Sequence, residues 1–119
     1  MLIKPHHRTY VLDSEGEVVS FVVLTVVAGE GEILTIATEP DHQKRGLARG
    51  LLKQVIGVLQ GEGAEALFLE VATDNQAAIR LYESCGFTQA GLRKAYYNRK
   101  EAPPCDAHIL RLALEHATP

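Results

Sequence analysis

A polar, basic loop joins a β-rich apolar run to an amphipathic helix near the middle of the chain. Residues 33–38 read Ile-Leu-Thr-Ile-Ala-Thr, which favours a buried strand. Apolar residues then recur at helical spacing, and this stripe comprises Leu47, Leu51, Leu52, Val55, Ile56, Val58 and Leu59. The stretch therefore predicts a strand, a loop and a helix in direct succession.

The loop and the first helical turn have the chemistry of an anion site. Their residues are Gln43, Lys44, Arg45, Gly46, Leu47, Ala48 and Arg49. Amides at a helix start have no intrahelical partner, and the helix dipole adds positive charge there. Gly46 lets a ligand approach the backbone because it has no Cβ, and Ala48 is small. We predict a phosphate or diphosphate ligand; the alternative is a solvated surface loop.

Two familiar phosphate-binding motifs do not fit this loop. The Walker A motif requires Gly-x-x-x-x-Gly-Lys-Ser/Thr, and the dinucleotide fingerprint requires Gly-x-Gly-x-x-Gly. Neither pattern occurs over residues 39–52. The sequence thus disfavours nucleoside triphosphates and nicotinamide dinucleotides as ligands.

Length and charge restrict the remaining possibilities. The 119 residues predict one small domain, and the net charge of −3 argues against general nucleic-acid binding. The chain has no apolar run of transmembrane length and no signal-peptide pattern, so we expect a cytoplasmic protein. We expect Cys85 and Cys105 to be free thiols. The five histidines show no ligand spacing, so we expect no metal site.

The remaining patterns predict an α/β fold with a mixed sheet. We predict strands at 9–12, 18–27, 32–38, 66–71, 87–97 and 107–114, and helices at 47–60 and 76–84. The first three strands have short connections and must therefore be antiparallel. The strand at 66–71 follows a helix, so it can lie parallel to the strand at 32–38.

Two side chains within these elements are candidates for chemistry. Glu70 lies near the end of an apolar strand, where it either marks a solvated strand end or faces a ligand crevice. Tyr82 lies on an apolar helix face, where packing is the simpler interpretation. If Tyr82 is buried, its hydroxyl needs a partner, and a leaving thiolate would be one.

Three segments together resemble the GCN5-related N-acetyltransferases (GNAT family). Residues 43–48, Gln-Lys-Arg-Gly-Leu-Ala, are similar to the Gln/Arg-x-x-Gly-x-Gly/Ala loop of that family. Residues 75–87 resemble its Asn-x-x-Ala-x-x-Leu-Tyr-x-x-x-Gly-Phe segment. With Leu-Glu-Val at 69–71 and Arg-Lys-Ala-Tyr-Tyr at 93–97, the chain looks like the RimI-type branch, which acetylates the N-terminal alanine of a ribosomal protein.

This resemblance implies acetyl-CoA as co-substrate and a role for each matched residue. It implies Glu70 as proton acceptor, Tyr82 as proton donor and Asn75 as a cofactor contact. The backbone of Ile36, Ala37 and Thr38 would face the acetyl arm, and residues 43–49 would hold the diphosphate. Tyr96 and Tyr97 would lie near the acceptor peptide, or else only pack at a strand edge.

The resemblance also implies a first strand and two helices that this sequence lacks. An incomplete sequence, a misassigned start and a natural short form completed by a partner would each explain the difference. We expect the uncovered sheet edge to form a dimer contact or to lower stability. The acceptor is a protein N-terminus or a small amine, and a coenzyme-A-binding module without catalysis is the alternative from another class.

Overall fold

A computed structural model of the chain describes residues 7–39, 46–97 and 105–114, without the side chains of residues 95–97. These residues form strands and helices in the predicted order β-β-β-α-β-α-β-β. The strands are β1 (His7–Ser14), β2 (Glu17–Val27), β3 (Glu30–Thr38), β4 (Ala66–Ala72), β5 (Thr88–Tyr97) and β6 (Cys105–Ala113), and the helices are α1 (Leu47–Gly61) and α2 (Gln76–Ser84). The predicted α/β class with a mixed sheet is confirmed.

The strands form one six-stranded sheet in the order β1-β2-β3-β4-β6-β5 within the described ranges. Strands β1, β2 and β3 are antiparallel neighbours, as their short connections require. Strand β4 is parallel to β3, and β6 is antiparallel to both β4 and β5. The last two strands thus exchange their order, since β6 lies between β4 and β5.

Strands β3 and β4 separate half-way along their length. Their parallel pairing joins Glu30–Ile33 to Ala66–Leu69 and stops there. Beyond that point β3 pairs with β2 only, and β4 pairs with β6 only. The register between β2 and β3 shifts at Leu34, a β-bulge of the kind that bends a strand. A crevice therefore opens between the carboxyl ends of two parallel strands, where α/β proteins commonly bind ligands.

Helix α1 covers the sheet with a narrower apolar face than its sequence predicts. Its buried residues are Leu51, Leu52, Val55 and Leu59. At 100° per residue these four lie within an arc of about 100°. Val58 belongs to the apolar stripe of the sequence but lies at the rim of that arc and is 42% exposed. Leu47 is only half-buried. A helix on a sheet buries one arc, and both of these side chains fall outside it.

Strand β1 lies at the edge of the sheet and is tied to the end of α1. Arg8 Nη1 donates to Glu62 Oε1 at 2.7 Å and to the Tyr10 hydroxyl at 3.3 Å. The Tyr10 hydroxyl and then Glu62 raise the pKa of Arg8 above its ordinary value. The described residues begin with β1, so the additional strand and helices of the GNAT resemblance are not among them. The dimer contact through this edge stays a prediction.

No helix in the described part of the chain has the length and apolar character needed to cross a membrane. Both cysteines are free thiols, as the sequence predicts.

Candidate functional site

A cavity of about 710 Å³ occupies the crevice between β3 and the starts of the two helices. Three segments that are distant in sequence form its walls. Its lining residues are Ile36, Ala37, Thr38, Gly46, Leu47, Ala48, Arg49, Asn75, Ala77, Ala78, Leu81 and Tyr82. The cavity brings together all the predicted cofactor-binding residues that the structure describes, and Tyr82 with them.

The first wall is the N-terminus of α1, which fits an anion. Gly46 precedes the helix with φ 75° and ψ 11°, and within the described residues no side chain caps the helix start. The first intrahelical bond runs from the Gly50 amide to the Gly46 carbonyl at 3.0 Å, so the preceding amides have no intrahelical acceptor. The first turn holds no acidic residue, and Arg49 instead adds a positive charge. A cation at this end of a helix is unfavourable until an anion binds.

The structure gives a second reason for glycine at position 46. A Cβ built on Gly46 meets nothing within 4 Å among the described residues, so crowding by the protein itself does not require glycine. The left-handed backbone conformation favours it, since side chains disfavour that region. The predicted close approach of a ligand at this position stays a prediction. Gln43, Lys44 and Arg45, also predicted for this loop, lie outside the described residues.

The second wall is the carboxyl half of β3. Glu39 donates its amide to the Val19 carbonyl at 2.8 Å. Antiparallel bonding alternates along a strand, so the amides of Ile36 and Thr38 turn away from β2 and toward the crevice. The residue that supports this wall, Ser20, was not predicted from the sequence. Ser20 is 1% exposed, and its hydroxyl donates to the Ala37 carbonyl at 3.0 Å and lies 3.2 Å from the Thr38 hydroxyl.

The third wall is the first turn and inner face of α2. Asn75 is the N-cap of this helix, and its Oδ1 accepts from the Ala78 amide at 3.2 Å. Its side-chain oxygen thus has a structural partner in the helix start, and the predicted contact of Asn75 with the cofactor stays a prediction. Ala77, Ala78 and Leu81 line the cavity although no role was predicted for them. Small residues at the start of a helix that follows a strand are the signal that would have indicated them.

A second, smaller cavity of about 230 Å³ adjoins the first along β4. The two cavities share Ile36, Asn75, Ala78 and Tyr82. Glu70 lines the smaller cavity and is not among the described residues that line the larger one. Tyr82 therefore borders both cavities. Among the described lining residues, a carboxylate is present in the smaller cavity and absent from the larger one.

Tyr82 packs in the core, as its apolar helix face predicts, and it also borders the two cavities; its role as proton donor stays a prediction. Its side chain is 7% exposed and contacts the Phe87 ring edge-on, with the ring centroids 5.8 Å apart. It is part of the hydrophobic core and also lines both cavities. Packing against Phe87 restricts the ring, so the phenol is held at a defined position in the crevice.

Glu70 is not an isolated carboxylate. It lies inside β4, its side chain is 21% exposed, and its Oε1 is 3.2 Å from Arg93 Nη2 on β5. No role was predicted for Arg93. Tyr96 and Tyr97 belong to β5, but their side chains lie outside the described part of the chain, so their placement near an acceptor stays a prediction.

Comparison with known proteins identifies the family. The model of the acetyltransferase (GNAT) family matches residues 1–87. The chain belongs to the GNAT family. It is 42% identical over 108 residues to the [ribosomal protein bS18]-alanine N-acetyltransferase of Escherichia coli K12, covering 91% of this chain and 72% of that protein. It is 35% identical over 114 residues to the N-alpha-acetyltransferase RimI of Mycobacterium tuberculosis, covering 92% and 68%.

Solved structures give the same result for the GNAT fold. The crystal structure of the ribosomal-protein-S18-alanine N-acetyltransferase from Escherichia coli superposes with a TM-score of 0.90 at 36% identity, covering 98% of this chain and 74% of that one. The predicted GNAT fold and the predicted resemblance to the RimI-type branch are confirmed. The protein is an acetyl-CoA-dependent N-acetyltransferase.

Proposed function

We propose that this GNAT enzyme acetylates the N-terminal α-amino group of a protein, and that an alanine of ribosomal protein bS18 is the acceptor. The names of the related enzymes support this acceptor. The observation that carries the proposal is the pair of adjoining cavities with Tyr82 between them and Glu70 in the smaller one. A large cavity suits an extended cofactor, and a small one suits a single terminal residue with its amine.

The larger cavity has the groups that coenzyme A requires. The unpaired amides at the start of α1, together with Arg49, would hold the diphosphate. Residues 43–45, which precede this helix start, would also contact the diphosphate. Asn75 would contact the arm of the cofactor, and the Ile36 and Thr38 amides would face the acetyl group. An N–H at that position donates to a carbonyl oxygen and stabilises it as negative charge develops.

Glu70 and Tyr82 would perform the proton transfers. Acetyl-CoA supplies the acetyl group as a thioester. Glu70 accepts one proton from the acceptor ammonium, and the free amine attacks the acetyl carbon. The carbon–sulfur bond then breaks, and Tyr82 gives one proton to the departing sulfur. The nitrogen loses its second proton as the amide forms, and this proton replaces the one that Tyr82 gave, so the net products are the amide, coenzyme A and the one proton on Glu70. An α-amino group has a pKa of about 8, against about 10.4 for the lysine side chain. Deprotonation of an α-amino group near neutral pH therefore costs less free energy. Close placement of amine and thioester would supply most of the rate.

Acetyl transfer to peptides tests the acceptor. The substrate is a peptide with the N-terminal sequence of bS18, and mass spectrometry locates the added acetyl group. We expect modification of the α-amino group. The matched control is the same peptide with its α-amino group blocked and a lysine retained, which should not react. Turnover of polyamines or amino acids without turnover of the peptide would contradict the proposal, as would binding of acetyl-CoA with no turnover at all.

Two substitutions test the proposed roles. Glu70→Gln and Tyr82→Phe should each lower kcat by about 100-fold or more, the usual size of a general acid or base contribution, with coenzyme A affinity nearly unchanged. The matched controls are Glu83→Gln, exposed on α2, and Tyr10→Phe on β1; neither residue lines a cavity. Both controls should keep wild-type turnover. Wild-type kcat in Glu70→Gln and Tyr82→Phe would refute the assignment.

A further inference from the structure

Arg93 reaches Glu70 across an intervening strand. Glu70 on β4 is paired with Ile109 of β6, while Arg93 on β5 is paired with Ala107, two residues away along β6. Residues directly opposite in an antiparallel ladder share a face, so both charged side chains lie on one face of the sheet. The contact is diagonal and spans three strands. Ala107 is small and 0% exposed, which fits a long side chain lying over it.

Arg93 contacts the Glu70 carboxylate without belonging to a cavity lining itself. Glu70 lines the smaller cavity, whereas Arg93 is not among the described residues that line either cavity. Arg93 is 48% exposed and Glu70 is 21% exposed, so the guanidinium is the more solvent-accessible partner of the pair. We therefore expect an acceptor amine in the smaller cavity to meet Glu70 and not Arg93.

We propose that Arg93 is a positioning residue that holds the Glu70 carboxylate toward the acceptor cavity; this inference rests on the proposed role of Glu70 as proton acceptor. A glutamate has three side-chain torsions, and an unrestrained one samples many rotamers. Arginine stays charged at all working pH values and presents its donors in a rigid planar group, which suits it to fix a carboxylate. The contact restricts the rotamers of Glu70 and does not place the guanidinium in the cavity that the acceptor would occupy.

Steady-state kinetics of Arg93→Gln tests this role. We expect kcat on the acceptor peptide to fall about fivefold, the size expected from loss of a partly exposed ion pair, with an unchanged KM for acetyl-CoA. Arg93→Lys keeps the charge and should restore part of the loss. The control is Arg111→Gln, because Arg111 lies on the same face but stacks on Phe68, with its Cζ 5.7 Å from the ring centroid. It should keep wild-type kcat.

A double-mutant cycle and a crystal structure separate this inference from the proposed function. In a Glu70→Gln background, Arg93→Gln should have no further effect on residual turnover. An equal loss in both backgrounds would overturn the positioning role. In crystals of Arg93→Gln, the Glu70 side chain should no longer be confined to its wild-type rotamer. A single wild-type rotamer in that variant would also overturn the inference, even if the enzyme proves to act on other acceptors.

Discussion

Gly46→Ala tests why a glycine precedes helix α1. Gly46 has a left-handed backbone, and a Cβ built on it meets nothing within 4 Å. Gly50, inside α1, also has nothing within 4 Å of a built Cβ, but it has an ordinary helical backbone. The two substitutions add the same methyl group to open space. They differ only in the backbone conformation that must accept it.

The expected effects have opposite signs. An L-residue in the left-handed region costs about 1–2 kcal/mol. Replacing any glycine with alanine also restricts the unfolded chain, which offsets about 0.5 kcal/mol of that cost. Gly46→Ala should therefore lose about 1 kcal/mol of unfolding free energy. Gly50→Ala should gain about 0.5–1 kcal/mol, since alanine favours a helix interior. For a domain of this size the Tm values of the two variants should differ by about 6 °C.

Urea unfolding followed by circular dichroism measures these stabilities, and calorimetry with coenzyme A measures binding. The strain lowers stability if the variant keeps the left-handed backbone, and it lowers affinity if the backbone relaxes. In the relaxed case the helix amides turn from the ligand, and restoring the left-handed conformation costs about 1 kcal/mol, which weakens coenzyme A binding about fivefold. Gly50 does not line the cavity, so Gly50→Ala should bind normally. A Gly46→Ala variant with both the stability and the coenzyme A affinity of the wild type would refute the left-handed assignment. Weakened binding in both variants would refute the argument from amide orientation.

Three further predictions concern stability. Leu52→Ala should lower the unfolding free energy by about 2–5 kcal/mol, because Leu52 is 0% exposed in the core. Urea unfolding measures this loss, and a value below about 1 kcal/mol would contradict the packing. Asn75→Ala should cost about 1 kcal/mol by removing the cap on the Ala78 amide, whereas Asn75→Asp should keep it; equal stability of these two variants would argue against the cap. Gly31→Ala should cost about 1–3 kcal/mol in thermal unfolding, because its Cβ would lie 2.9 Å from Leu67 Cδ1; an unchanged Tm would show that Leu67 moves aside freely.

Local patterns predicted the elements well because the information is local. The bounds predicted for the second helix, 76–84, coincide with those of α2, where Asn75 supplies a cap. The β-branched run of β2 and the apolar run of β4 were likewise found from a few neighbouring residues. Motif resemblance then indicated Glu70, Tyr82 and Asn75, all of which the fold brings to the two adjoining cavities.

Contacts between strands that are distant along the chain could not be predicted from the sequence. The Arg93–Glu70 pair depends on β6 lying between β4 and β5, which no local pattern specifies. The same holds for Ser20, an ordinary strand residue whose hydroxyl meets the Ala37 carbonyl only when β3 pairs beside it. The exposure of Val58 likewise depends on how α1 packs on the sheet and not on the helix period.

Sequence alone determined which segments form strands and helices and where a helix would start beside a basic, glycine-containing loop, because periodicity and turn chemistry are properties of neighbouring residues. Tertiary structure alone decided where β3 and β4 separate after Ile33 and Leu69, and hence which side chains share a cavity. Pairing register is a long-range property that arises from the packing of the whole sheet, so the site exists only once that sheet has formed.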